Sequence, residues 1–381
     1  MKMVIAPQTF KGTISALDAA RAIASGVHQV FPFAELARVP VADGGDGTLD
    51  VMLEATGGKW FDAIVSGPLG NSVSARWGVL GDGRTAIIEA AQACGLALLS
   101  NQDRNPLKTT SLGVGQLIKL ALDNGYRRII VGLGGTSTND GGSGLASALG
   151  VSFLNANGVE IGLGGGRLID LASIDESGLD PRVKGTVFIA ASDVTNPLCG
   201  PIGAAATFGP QKGATPKQVK ELDIALSHFA EVIQHDVGID VTTVSGGGAA
   251  GGMGAGLYAF LGAKIDWGAD IVCDVVGIDK HLVGASLVIT GEGQLDWQTA
   301  YNKAPLVVAH HAGARSIPVL GVAGTLGRGW KRLYAEGFTS MRSIVSGPVS
   351  LNEALHRPEK FLIRATVLGL QSMKRRYPNY F

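Results

Sequence analysis

Short apolar runs alternate with helix-period segments along most of the chain, the pattern of βα units and a mainly parallel sheet. Residues 3–6 read as a first strand and 15–30 as an amphipathic helix. Ser15 is its N-cap, with Asp18 at the capping-box position. The next strand is 37–41, followed by a helix from about Thr48. Apolar runs at 129–133, 187–191, 287–290 and 319–322 predict further strands, and periodicity at 216–235 and 303–311 predicts helices.

A different texture occupies residues 62–95. The turn Gly67-Pro68-Leu69-Gly70 precedes strict alternation over 72–80, which predicts antiparallel hairpins. Residues 151–158, ending in Asn157-Gly158, have the same character. The expected fold is therefore two-domain α/β. An open, doubly wound, mostly parallel domain comes from residues 1–66 and 270–381, with a mixed α/β domain, 67–269, inserted. The first crossing is expected at residues 66–70.

Several predicted strands run directly into loops of acids, hydroxyls and glycines. Residues 37–41 lead into Ala42-Asp43-Gly44-Gly45-Asp46-Gly47-Thr48, and 129–133 into Gly134-Gly135-Thr136-Ser137-Thr138-Asn139-Asp140-Gly141-Gly142. Residues 187–191 lead into Ser192-Asp193-Val194-Thr195-Asn196-Pro197, and 287–290 into Gly291-Glu292-Gly293-Gln294-Leu295-Asp296. Open α/β sheets bind ligands outside the carboxyl ends of their strands. Carboxylates with hydroxyls suit a hard cation such as Mg2+, and glycine amides suit phosphate. Together they are the equipment of phosphoryl transfer. Asp-Gly and Asn-Gly also make ordinary turns, so any single loop has a plain alternative reading.

Composition removes other classes. Lys+Arg and Asp+Glu are both 32, so the net charge is zero, and neither a nucleic-acid face nor a polybasic membrane surface is expected. A hydrophobic share of 46% against 17% charged, with mean hydropathy +0.24, describes a chain that buries a large core. Glycine reaches 56 residues, gathered beside acids and hydroxyls rather than in a G-X-Y repeat. The three cysteines, Cys94, Cys199 and Cys273, have no metal or disulfide spacing, and Cys199 reads as a structural thiol. His310-His311 is the one adjacent histidine pair, and neighbouring helical residues do not face one ligand. The start of the chain carries no secretory signal, and the uncharged stretch 241–263 is too broken by glycine to span a bilayer. A soluble, cytoplasmic protein is expected.

There is no P-loop, no protein-kinase signature set and no GxSxG elbow. Gly246-Gly247-Gly248-Ala249-Ala250-Gly251 matches GxGxxG and leaves three readings open. It is a dinucleotide fingerprint with Asp266 or Asp270 as its ribose acid, a loop capping a helix over 253–261, or a phosphate-binding loop of another kind. Lys11 follows the first strand and precedes the Ser15 helix, placing a cation at the same sheet end as Asp43. Lys212, in Gly209-Pro210-Gln211-Lys212-Gly213, is a second such cation. For both, the plain alternative is an ordinary loop residue. Asp193 is the candidate proton acceptor, because it would project from a rigid strand end with Thr195 and Asn196 to orient it. Asp43 and Asp296 are then the candidate metal ligands, with Asp140 as an alternative, and the exchange of Asp193 with Asp296 stays open.

These motifs, in this order, resemble the bacterial glycerate kinase family that includes the glycerate 2-kinases. The matching segments are Phe10-Lys11-Gly12, the loops containing Asp43, Thr136 to Gly142 and Asp193, then Gly209-Pro210-Gln211-Lys212-Gly213-Ala214 and Thr290-Gly291-Glu292-Gly293-Gln294-Leu295-Asp296. The resemblance extends over residues 2 to 370. It implies ATP- and Mg2+-dependent phosphorylation of D-glycerate in the cleft between two α/β domains. On it, Asp43, Gly44, Gly45, Thr136, Ser137, Asn139, Lys212 and Glu292 are expected to bind substrate or phosphate. Lys11 and Asp193 are expected to serve the reaction, with the 2-hydroxyl as acceptor. The chain departs from the family with Thr9 and Thr13 for serines, Asp46 for a common glutamate, and Asn302 where Gly-Lys-Ala-Pro is usual. Two other classes compete: an NAD(P)-dependent hydroxy-acid oxidoreductase resting on 246–251, and a non-catalytic sugar-acid binding protein.

Overall fold

The computed structural model describes residues 1–378 except 298, 301, 346–352, 354 and 355. The chain divides into two units, Met1–Thr56 with Ala269–Phe381, and Gly57–Gly268.

The first unit is built on a five-stranded parallel sheet. From edge to edge its strands are Ser340–Ser343, Val319–Ala323, Ala285–Gly291, Lys2–Pro7 and Glu35–Arg38. Read from the opposite edge, this is second, first, third, fourth and fifth in chain order, a doubly wound arrangement. Its topological switch point lies between Lys2–Pro7 and Ala285–Gly291. Met3, Ile5, Leu287, Ile289, Leu320 and Val322 pack on one face with residues of the helices Ala16–Val30 and Pro358–Arg376. The intervening Val4, Ala6 and Val288 are buried too. The strands therefore read as unbroken apolar runs, as strands covered on both faces do. The two helices meet at Gly26, where a Cβ would lie 2.9 Å from Thr366 Cβ.

Local signals act as expected here. Ser15 Oγ accepts from the Asp18 amide and starts the first helix. The strand expected over 37–41 is instead Glu35–Arg38. Pro40 has no N–H for the ladder, but Val39 and Val41 still donate to Ile5 O and Pro7 O at 2.8 and 2.9 Å. The segment stays extended to the brink of the Asp43 loop.

The second unit holds a six-stranded mixed sheet, ordered Lys264–Trp267, Val187–Ser192, Arg128–Gly132, Thr85–Glu89, Ser72–Val79 and Lys59–Ser66. The last two pair antiparallel along their whole length through the turn at Gly67 to Gly70. That turn is thus internal to the second unit, and the chain passes from one unit to the other at Thr56–Gly57. The first four strands of the list are parallel, so their carboxyl ends share one edge. Phe153, Phe229 and Phe260 cluster in the core with ring centroids 5.6–6.3 Å apart. Among the described residues, no helix is long and apolar enough to cross a membrane.

Candidate active site

In the first unit, the strand ends on either side of the switch point carry the acids. Pro7 pairs with Gly291, and Gln8 N donates to Gly291 O at 2.8 Å. Gln8 Nε2 then donates to Asp43 Oδ2 at 2.6 Å. Asp43 Oδ1 accepts from Gly45 N, Gly44 N donates to Thr48 Oγ1, and Thr48 Oγ1 donates to Gly45 O. Gly44 and Gly47 have φ of 95° and 88°, a conformation that favours glycine, so the loop can wrap its amides around the carboxylate.

Across the switch point, Glu292 is buried and accepts from Thr299 Oγ1 at 2.8 Å. Its other oxygen stands 3.7 Å from Lys303 Nζ. Burial pushes its pKa up to about 7; Lys303 and Thr299 oppose the rise, while the negative charges of Asp43 and Asp296 add to it. That mutual repulsion puts the three carboxylates in one electrostatic group. Asp296 is buried, accepts from Gln294 Nε2, and its amide donates to Thr299 Oγ1. Lys11 is exposed on the loop beside Gly293: a Cβ there would lie 3.6 Å from Lys11 N. Asn302, at φ 55°, supports the turn before Lys303 and donates to Asp270, as an asparagine can in place of glycine. Gln298 and Tyr301 of the same segment lie outside the described residues.

Among the described residues no three His, Cys, Asp or Glu side chains are arranged to hold a metal ion by themselves. Mg2+ does not need that: it keeps waters and takes one or two carboxylates together with substrate phosphates. The donors at this edge are oxygens, and Gln8 Oε1 is buried beside Asp43 without a partner. The chemistry fits a hard cation.

The second unit brings a different set together, and buries it. Thr136, Ser137, Thr138, Asn139 and Asp140 are all at most 4% exposed. Ser137 donates through both N and Oγ to Cys94 O. Asp140 Oδ2 accepts from Ser111 N at 2.7 Å and Ser111 Oγ at 2.9 Å, and its Oδ1 accepts from Gly142 N. Burial raises its pKa, and those hydrogen bonds oppose the rise. Lys212 is also buried; its Nζ donates to Thr138 O at 2.6 Å and Thr136 Oγ1 at 3.5 Å. Burial lowers its pKa to about 8 against the pull of Cys94 and Asp140. Asp193 is half-buried, directly after the strand Val187–Ser192.

The GxGxxG segment is no dinucleotide fingerprint, because no strand leads into it. It opens the helix Ala249–Leu261, with Ala250, Gly251 and Gly252 all left-handed. A Cβ on Gly251 would meet Thr138 O at 1.9 Å, so this loop braces 136–142. His310 and His311 take separate partners, Glu336 and Asp279. Burial pushes the Cys94 and Cys273 thiols up to about 12, which keeps them inert. Sequence reasoning gave no role to Gln8, Ser111, Thr299 or Lys303. Gln8 had a signal in its place at a strand end, and Lys303 in its place in the Asn302-Lys303-Ala304-Pro305 motif.

The chain joins a doubly wound unit whose switch point is lined by carboxylates to an inserted mixed α/β unit, and the family match puts it in the small-molecule kinase class. Residues 3–370 match the model of the glycerate kinase family, and the chain belongs to that family. It is 48% identical to the glycerate 2-kinase of Escherichia coli K12, over 96% of each chain. It is 47% identical to the glycerate kinase of Bacillus subtilis 168, over 96% of this chain and 95% of that one. The crystal structure of a candidate glycerate kinase 2 from Salmonella typhimurium LT2 superposes with a TM-score of 0.85 at 45% identity, covering 98% of both chains.

Proposed function

We propose that the protein transfers the γ-phosphoryl group of ATP to the 2-hydroxyl of D-glycerate, giving 2-phosphoglycerate and ADP in the cytoplasm, where ATP is supplied. The observation that carries this reading is the carboxylate group at the switch point, Asp43, Glu292 and Asp296, in a chain of the glycerate kinase family. The 2-hydroxyl is favoured by the similarity to a glycerate 2-kinase.

Asp43 and Asp296 would hold Mg2+, with Gln8 Oε1 a further oxygen donor beside Asp43. Bound there, Mg2+ would neutralise charge on the phosphate oxygens. Lys11 is on an exposed loop and free to reach a phosphate oxygen, where a cation stabilises the charge that builds during transfer. Asp193 accepts the hydroxyl proton as the substrate oxygen bonds to the γ-phosphorus and ADP leaves. Glu292 and the glycine amides at 44 and 45 shape the anion-facing loops. Asp140, with its oxygens engaged by Ser111 and Gly142, organises the 136–142 loop.

The test is ADP release with and without D-glycerate, with and without chelator, and phosphorus NMR of the product. Glycerate-dependent, cation-dependent turnover to the 2-phosphate is expected. ADP release indifferent to glycerate sinks the kinase reading, and a 3-phosphate product corrects the position.

A further inference from the structure

Two orphaned polar groups in the second unit lie on backbone segments that adjoin the segment of its buried lysine. Asn139 is fully buried, and neither its Oδ1 nor its Nδ2 has a partner. Arg104 is partly buried, and its Nε is enclosed without an acceptor. A folded protein rarely leaves such groups unpaired, because a buried donor or acceptor that has lost water and gained no partner is destabilising. Here the backbone segments that carry them adjoin. The Lys212 ammonium sits on the carbonyl of Thr138, the residue before Asn139. A Cβ on Gly213, the residue after Lys212, would lie 2.4 Å from Arg104 O and 2.9 Å from Arg104 Cβ. A Cβ on Gly165 would lie 2.4 Å from Asn139 O and 2.9 Å from Pro106 O. The backbones carrying Arg104, Asn139 and Lys212 are thus pressed against one another, and glycines allow it.

We infer that Arg104, Asn139 and Lys212 form a subsite that binds an anionic oxygen group of a substrate, with Arg104 setting its specificity. Donors predominate in the set: Arg and Lys supply only donors, and Asn139 offers its unpaired Nδ2 beside the unpaired Oδ1. Asp140 attracts the Lys212 charge, but its oxygens take their hydrogen bonds from Ser111 and Gly142, and Lys212 Nζ donates to Thr138 O and Thr136 Oγ1 instead. Burial holds the Lys212 pKa near 8, an unfavourable state for a cation that a bound anion would relieve. Two sources present this chemistry in the proposed reaction: the carboxylate of D-glycerate and the phosphates of ATP. Arg, with its planar fork, can bind either in bidentate fashion.

The inference rests on the kinase reading, and the experiment separates the two. Turnover of the wild-type full chain tests the reading; the variants test the subsite. Arg104→Gln should raise the KM for one substrate by roughly tenfold or more while the other stays within about twofold, and Arg104→Lys should recover part of the loss. A selective rise for D-glycerate assigns the carboxylate; a selective rise for ATP assigns a phosphate. Asn139→Leu replaces an unpaired buried amide with an apolar side chain of similar volume. It should leave the thermal midpoint of the ligand-free protein unchanged or higher while raising the KM for the same substrate. Three results overturn the subsite, given an active wild type: both KM values unmoved in Arg104→Gln, both moved together with a lower midpoint, or Asn139→Leu destabilised or unfolded.

Discussion

Glu292→Gln isolates the electrostatic cost built into the switch-point edge. Glu292 is 6% exposed, and burial raises its pKa from 4.5 to about 7. The folded protein therefore holds a proton on this group between about pH 4.5 and 7 that the unfolded chain has lost, so stability falls as pH rises through that window. Below it the carboxyl is protonated in both states and costs nothing. Above it the full penalty is present, about 2.5 units at 1.36 kcal/mol each, or about 3 kcal/mol. Glutamine keeps an oxygen for the Thr299 hydroxyl and carries no charge. The loss of attraction to Lys303 is already counted, since that attraction opposes the shift. The variant should match wild type near pH 4 and be more stable by about 3 kcal/mol at pH 8, about 6–12 °C in the midpoint for a unit of this size. Urea and thermal unfolding in chelator at several pH values measure it. A gain that does not grow between pH 5 and 8, or a loss at pH 8, would refute the claim that Glu292 is held as a strained buried carboxylate.

Lys11→Met should lower turnover by about 10²–10³ without altering the unfolding midpoint; a variant within twofold of wild type makes Lys11 a solvated loop residue. Asp193→Asn should cost roughly 10²–10⁴ in kcat at an unchanged Mg2+ requirement. Recovery at high Mg2+ would instead make Asp193 a metal ligand, and a loss under about tenfold would remove it from the chemistry. Gly251→Ala puts a methyl 1.9 Å from Thr138 O on a residue with φ +71°. It should destabilise the second unit by more than about 2 kcal/mol, and an unchanged calorimetric midpoint would mean the two loops do not brace each other.

The strands at 3–6, 129–133, 187–191, 287–290 and 319–322, the Ser15 cap and the placing of Asp43, Glu292 and Asp296 after strands were readable from the chain alone, because each is a local property. Apolar runs mark buried strands, a hydroxyl before a helix marks its cap, and acids after a strand lie at its carboxyl end. The dinucleotide alternative at 246–251 also looked possible locally, and fell only when no strand was found to precede it. What the sequence did not reveal joins residues far apart along the chain. Ser111 is 29 positions from the Asp140 that it holds, and Lys212 is 74 from the Thr138 carbonyl it caps. Nothing in the spacing of either pair marks them as neighbours. Strand order decides which loops share an edge, and periodicity is the same for every order. The Thr136 to Asp140 loop is polar along its length, and its burial is a product of tertiary packing. Glycines at 165 and 251 let neighbouring backbone approach it more closely than any side chain would allow.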